Sequence, residues 1–527
     1  MTNFRISLAR ASILVLAMVL VPLVEAGDTR LLPETSGEQD FFGFATAVDG
    51  DRLVSSSRGD DELGPDVGAV TVFERVDGIW ERTATLRPEG ASDGALFGMA
   101  VALEGDVLVV GAFFENERGR EAGAAYVFEY DGSTWQSTAK LLGDETSPFD
   151  WFGVSCAIDA GRIVVGARQD HGGAFMSGAA YVFEKVDGTW SQTARLTAAS
   201  PWVSGNFGHA VDISGDAILV GEFNGQTGPG RAHLFEWNGE AWAPTLLTPS
   251  DSQIDDMFGV AVALDGGTAL VGSRMHDGAA INTGAVFVYE RQAPATWGET
   301  AILTSPSPRS RSEFGNKVDL EGDVALIGEW EGGGPLPGAS HVFRRIEGAW
   351  RSTAELQPDY DGTGGGFGHD VAMDGSTAVV GAFLQDDPVS DAGGTYVYDL
   401  SAPLVAAYGT GWPGTNGTPE LRIDGVPAPG QALSLHLSNT SGASTRCLLA
   451  RGSEPAEDAT RFGGTLLLVP VVVEAREMPA SGFGRELAVP DRCEWIGRTF
   501  RVQGFVRDDG ASDGWAFSNA VEITIGR

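Results

Sequence analysis

Seven Phe-Gly pairs, beginning at Phe42, Phe97, Phe152, Phe207, Phe258, Phe314 and Phe367, divide most of this 527-residue chain at intervals of 55, 55, 55, 51, 56 and 53 residues. A repeat of this length marks a solenoid, a propeller or an array, and the content of one copy decides among them. The second copy holds the apolar run MAVAL (Met99 to Leu103), a turn at Glu104-Gly105-Asp106 and a second apolar run, VLVVG (Val107 to Gly111). Together these predict a β-hairpin, its glycine supplying the positive φ of the turn. GAAYVFEY (Gly123 to Tyr130), a turn at Asp131-Gly132 and WQSTAKL from Trp135 add two further strands. The first two strands are apolar on both faces, as strands between neighbouring sheets must be, whereas Gln136, Thr138 and Lys140 make the fourth an outer edge. Four strands per copy, seven times over, predict a seven-bladed β-propeller.

The ends of the repeat region fit a ring. Thr29 to Pro33 align with the fourth strand of later copies but have no first three strands before them, and the seventh copy stops at Leu400 without a fourth strand. The N-terminal strand is therefore expected to complete the last blade, which removes an open edge. Ser401 to Glu420 form a Gly/Pro/Thr-rich connection, and short alternating runs such as ALSLHLSN, TRCLLARG and TFRVQGFVRDDG follow it, the signature of a β-sandwich. At the other end, Arg5 and Arg10 precede an apolar run from Ala11 to Val24, and Val24-Glu25-Ala26 offers a cleavage site. A membrane anchor is the rival reading, but the run is shorter than the roughly 20 residues that span a bilayer. The expected organisation of this all-β chain is a signal peptide over 1–26, a propeller over 27–400, a linker over 401–420 and a β-sandwich over 421–527.

The pattern F-G-x-A-V-x-x-x-G-x-x-x-V-V-G-A followed by G-A-A-Y-V-F resembles the FG-GAP repeats of the integrin α-subunit propeller and related extracellular bacterial proteins, over Asp28 to Leu400. In that family some blades carry a calcium loop of the type D-x-[DN]-x-D-G-x-x-D between second and third strands. The corresponding segments here hold acids without the alternating spacing that gathers several oxygens round one ion. Weak calcium binding at Asp60, Asp61 and Asp66, or at Asp386, Asp387 and Asp391, competes with solvated acidic loops, the favoured reading, and no cofactor is expected. The C-terminal stretch from Tyr408 resembles C-terminal β modules of secreted bacterial repeat proteins, a resemblance that implies no activity.

Charge narrows the partners. With 72 acidic and 35 basic residues the formal net charge is -37, which argues against nucleic acid or an anionic membrane, since both attract positive surface. Cys156 falls in the third copy, whereas Cys447 and Cys493 share the C-terminal module, where they are expected to pair in an exported chain or to remain buried thiols. Gly90-Ala91-Ser92-Asp93-Gly94 and Gly510-Ala511-Ser512-Asp513-Gly514 spell the G-x-S-x-G of hydrolases, but neither joins a parallel strand to a helix. Gly409 to Gly414 spells G-x-G-x-x-G, yet Pro413 forbids the helix that would hold a phosphate. His209 and His369 follow Phe-Gly pairs, His233 and His341 replace Tyr126-like positions, and tryptophans such as Trp135 and Trp190 recur at the start of the fourth strand. All are read as packing residues. Arg58-Gly59-Asp60 spells an adhesion tripeptide in a segment expected at the surface, and three residues match easily by chance.

No residue is singled out as catalytic, cofactor-binding or metal-ligating. The expectation is a secreted, periplasmic or cell-surface non-catalytic binding protein that presents propeller loops to a protein or glycan. The alternatives are a polysaccharide-acting hydrolase or lyase on a propeller scaffold, and a purely structural envelope component.

Overall fold

The computed structural model describes residues 29–400, apart from 224–227, 294–295, 331–337, 347, 359–364 and 387–388, together with strands between 404 and 524. The signal-peptide reading of residues 1–26 lies outside the described residues. The chain divides into two compact units, the propeller ending at Ala402 and a C-terminal unit beginning at Pro403.

The propeller consists of seven four-stranded antiparallel sheets. In the third, Phe152–Asp159, Arg162–Ala167, Ala179–Val186 and Thr189–Leu196 pair in chain order. The burial pattern follows the predicted layering, for Arg162–Ala167 is buried from its second residue on while Thr189–Leu196 is half-buried or exposed except at Leu196. The seventh sheet is completed as expected by the N-terminal strand Thr29–Leu31, whose residues pair with Val397, Tyr396 and Thr395.

All seven repeat phenylalanines are fully buried. Each packs edge-on or tilted against aromatic or imidazole rings on the third strand of its own blade, as Phe152 does against Tyr181 and Phe183, with centroids 5.4 and 6.0 Å apart. The main chain of the same residue joins the preceding blade. Phe152 N donates to Ala122 O at 3.0 Å and Phe42 N to Ala392 O at 2.9 Å. Glycine is what admits this approach. Gly153 has a φ of 90°, and a Cβ there would stand 2.2 Å from Ala124 O; at Gly123, with a φ of 88°, it would stand 2.0 Å from Phe152 O.

A second ring of contacts closes the opposite face. The acid that ends each first strand accepts the turn glycine N–H of the next blade: Glu104 from Gly161 at 3.1 Å, Asp265 from Gly322 at 2.6 Å, Glu321 from Gly375 at 2.6 Å. In the fourth blade Ser214 takes the acid's place, toward Gly266. Asp374 accepting from Gly50 at 2.8 Å joins the last blade to the first. The tryptophans of the fourth strands pack against the apolar clusters between blades, as Trp190 does, and Trp190 Nε1 donates to Glu129 of the preceding blade at 3.1 Å.

In the C-terminal unit the described strands form a five-stranded, a three-stranded and a two-stranded antiparallel sheet. One departure from expectation falls here. Leu404–Tyr408, inside the stretch read as a linker, is a strand paired with Trp515–Thr524. Its short apolar run, Leu-Val-Ala-Ala-Tyr, was masked by the Gly/Pro/Thr-rich run that follows it. The Cys447–Cys493 pairing lies outside the described residues. Among the described residues no helix is long and apolar enough to cross a membrane.

Two substitutions separate turn strain from blade contact. Gly161→Ala, at a hairpin with a φ of 70° and nothing near the added carbon, should cost about 1 kcal/mol, whereas Gly153→Ala should cost at least about 3 kcal/mol. Denaturant titration with unchanged m-values would measure both. Removing Thr29–Leu31 should lower the melting temperature by several degrees and promote association through the exposed edge at Thr395–Asp399.

Candidate functional site

The ends of the second strands and the starts of the first strands share one face of the propeller, as the pairing of Phe152 with Ala167 requires. The segments between second and third strands lie on this face. A central channel of 420 Å³, lined by the first strands, opens there.

In the position directly after each second strand, the seven blades carry Arg58, Phe113, Arg168, Phe223, Arg274, Trp330 and Phe383 in chain order. Arginine and aromatic rings alternate through the first five blades. The inner neighbours are residues just after the Phe-Gly pairs, among them Phe44, His209, Asn316 and His369. These groups form an almost continuous belt. The Arg58 guanidinium lies 4.1 Å from the Phe44 ring centre and 4.9 Å from that of Phe41, and Phe44 meets His369 at 4.7 Å and Phe383 at 5.4 Å. Arg168 stacks on Trp151 at 4.6 Å, with Nη1 3.1 Å from His209 Nδ1, and His209 meets Phe223 at 4.5 Å. Arg274 donates to Asn316 Oδ1 at 3.0 Å, and Asn316 Nδ2 donates to His369 O at 3.1 Å.

The electrostatics of this belt are positive in an otherwise acidic chain. Burial, then the charges of Arg168, Lys317 and Arg274, hold His209 well below the ordinary imidazole range. Burial, then Lys317 and Arg58, push His369 down to about 3, so both rings are neutral at pH 7. Burial, then Arg274, lowers Arg168 to about 10. Two carboxylates offset the cations: Glu313, 3.7 Å from Arg274, and Asp370, 3.3 Å from Lys317. No carboxylate lies within ion-pair distance of Arg58 or Arg168 among the described residues, Asp66 acting on Arg58 only from farther off, and the Nε of each arginine is buried without a hydrogen bond.

The residues weighed in the sequence are placed elsewhere. His233 Nε2 lies 2.6 Å from Glu222 Oε2 and His341 Nε2 lies 2.5 Å from Glu329 Oε2, both pairs buried between strands of one blade. Burial works to raise Glu329, but the bond and charge of His341 hold it below the usual carboxylate range. At the equivalent positions Tyr181 donates to Asp170, and Tyr126 meets Glu115 at 3.3 Å. Four of the blades thus tie a carboxylate of their own to their own third strand, and in the seventh Gln385 takes the acid's place beside Tyr396. The Arg58-Gly59-Asp60 segment is not displayed, a correction to the expected surface loop. Asp60 is 7% exposed and accepts two bonds from Arg87, each of 3.0 Å. Asp61 Oδ1 accepts from Asp66 N at 2.7 Å and Asp386 Oδ1 from Asp391 N at 2.9 Å, each acid closing its own loop. Asp387 lies outside the described residues, among which no group of three or more His, Cys, Asp or Glu could hold a metal.

The belt escaped the sequence reading because its members share neither type nor charge. Aligning the seven copies and reading the position two past each VVG-type glycine, or past Ser56 in the first copy, would have found it.

Among known families, the FG-GAP repeat matches residues 80–128, 135–183, 190–235, 245–289 and 350–398. Each matched unit begins on the fourth strand of one blade and ends on the third of the next, so it spans a blade junction. No curated protein matches the chain. Solved structures similar to it include an exo-β-1,3-galactanase from Phanerochaete chrysosporium (10% identity, 90% of this chain and 100% of that one, TM-score 0.31). Others are the β-propeller domain of the Trilobed protease from Pyrococcus furiosus (9%, 64% and 90%, 0.37) and an acylaminoacyl peptidase from Pyrococcus horikoshii (10%, 78% and 61%, 0.37). At these scores none of them bears on what this chain does.

Cys156 lines the channel, and burial raises its thiol to about 12, against 9.0 for an ordinary thiol. Only the thiolate is alkylated. At pH 8 its reaction with iodoacetamide in the folded protein should therefore be at least about 100-fold slower than after denaturation. The rate should keep rising with pH past 9, where an unperturbed thiol levels off. Mass mapping of the labelled peptide reads both.

Proposed function

Because this chain carries FG-GAP repeats on a seven-bladed propeller, we propose that it is a non-catalytic binding protein that engages a protein or glycan partner through the face carrying the segments between second and third strands. Its place of action is outside the cytoplasm, secreted, periplasmic or at the cell surface. The observation that carries this reading is the channel mouth, where the Nε of Arg58 and that of Arg168 are buried without a hydrogen bond among the described residues in a chain of net charge -37. Buried guanidinium N–H groups without acceptors are costly, and binding sites keep such groups for a ligand. The rigid blades support it further, since a stiff scaffold can hold exposed loops in place while their side chains vary. The absence of turnover rests on the carboxylates: Glu115, Asp170, Glu222 and Glu329 are each engaged by a tyrosine or histidine of their own blade, an arrangement suited to packing rather than to proton transfer.

The test combines a glycan array with a protein pull-down on the full chain and on a variant whose exposed tips 61–65 and 117–120 are replaced by Gly/Ser. With folding verified by melting temperature, binding of the recovered partner should weaken at least tenfold. Undiminished binding would move the site to another surface, and hydrolysis of any member of a polysaccharide panel would overturn the non-enzyme reading.

A further inference from the structure

The cationic mouth is bordered by apolar side chains that the fold leaves uncovered. Phe149, Phe175 and Val203 are 46%, 60% and 62% exposed. They form one patch at the third blade. His171 lies 3.7 Å from Asp150, next to Phe149, and 5.2 Å from the Phe175 ring, while Ser204 N donates to Phe175 O at 2.9 Å. Arg168 belongs to the same segment as His171 and Phe175. On the same face Ile254 and Ile281 are 62% and 64% exposed, beside the blade that carries Arg274.

Resting on the binding reading above, we propose that the mouth receives the carboxylate of an aspartate or glutamate on a partner protein segment, whose apolar neighbours cover Phe149, Phe175 and Val203. Two features fix this chemistry. The Arg58 and Arg168 guanidinium groups, stacked on Phe44 and Trp151, have no carboxylate within ion-pair distance among the described residues, and a guanidinium pairs with a carboxylate through charge-assisted hydrogen bonds. The neighbouring patch mixes Phe with Val, and Ile254 and Ile281 are further exposed aliphatic side chains on the same face. Branched aliphatic side chains gain from burial against other apolar side chains, whereas sugar rings are held by aromatic faces and hydrogen bonds. Charge and apolar surface thus select an acidic peptide over an acidic glycan. The rest of the surface, being acidic, repels such a segment unless its carboxylate reaches the belt.

The probe is a displayed library of random heptapeptides panned on the full chain, with R58Q/R168Q as the counter-target and melting temperature as the folding check. Peptides enriched on the wild type should share an Asp or Glu with an apolar neighbour. The best of them, made synthetically, should lose at least tenfold in affinity when its acid is changed to the amide, and similarly against Arg168→Gln and Phe175→Ser. If the double variant does not fold, Arg168→Gln against Arg168→Lys, which keeps the charge, carries the same comparison. Enrichment of neutral or basic peptides, no enrichment, or equal binding by the variants would overturn the proposal. Oligogalacturonate binding that Arg168→Gln abolishes, with peptides inactive, would replace the protein segment by an acidic glycan. Peptide binding that survives Arg168→Gln but is lost on replacing the loop tips would overturn this proposal while leaving the binding reading in place.

Discussion

The hydrogen bond from a repeat phenylalanine's N–H to the carbonyl just before the third strand of the preceding blade, seen at six junctions among the described residues, sets the spacing of the ring. With Phe152 N and Ala122 O 3.0 Å apart, the main chains of two blades lie within reach of each other with no side chain between them. Everything else accommodates that contact. The phenylalanine ring turns back into its own blade, the glycines that flank the contact lack the carbon that would obstruct it, and the apolar faces of adjacent sheets meet at the distance it dictates. The FG-GAP unit is therefore better viewed as a joint between blades than as a blade, in keeping with matched segments that begin on one sheet and end on the next.

Most of the architecture was legible because the joint repeats. A Phe-Gly pair every 51 to 56 residues, hairpin glycines in register and an orphan fourth strand at Thr29 to Pro33 were enough to predict the sheets and their closure. What escaped required knowing which residues of different copies become neighbours. The acids before the turn glycines look like ordinary turn residues in one repeat, and only the ring shows that Glu104 serves the turn of the next blade. The arginine and aromatic belt is invisible to composition, because three arginines scattered over a long stretch converge only when the blades are arranged round an axis. The Arg58-Gly59-Asp60 segment misled in the opposite way. A loop by sequence, it is held by Arg87, a residue on the outer part of the same blade.

The buried polar groups follow one design with interchangeable parts. Where one blade has tyrosine and glutamate, another has histidine and glutamate or tyrosine and aspartate, and each pair joins the end of the second strand to the third. An unpaired group at such depth would cost more than the pair contributes, so substitutions here must be matched on both sides. The scatter of histidines along the sequence reflects this exchange of equivalents and not a dispersed active centre.

The closing strand has a mechanical consequence. Thr29 faces Val397 and Leu31 faces Thr395, so the N-terminal end of the strand lies beside the point where the seventh blade's chain leaves the propeller. Tension applied between these two points would load the three residue pairs one after another, as a zipper opens, rather than all at once in shear. The ring should then part at low force by peeling one short strand, while the other six blades, each continuous within the chain, remain folded.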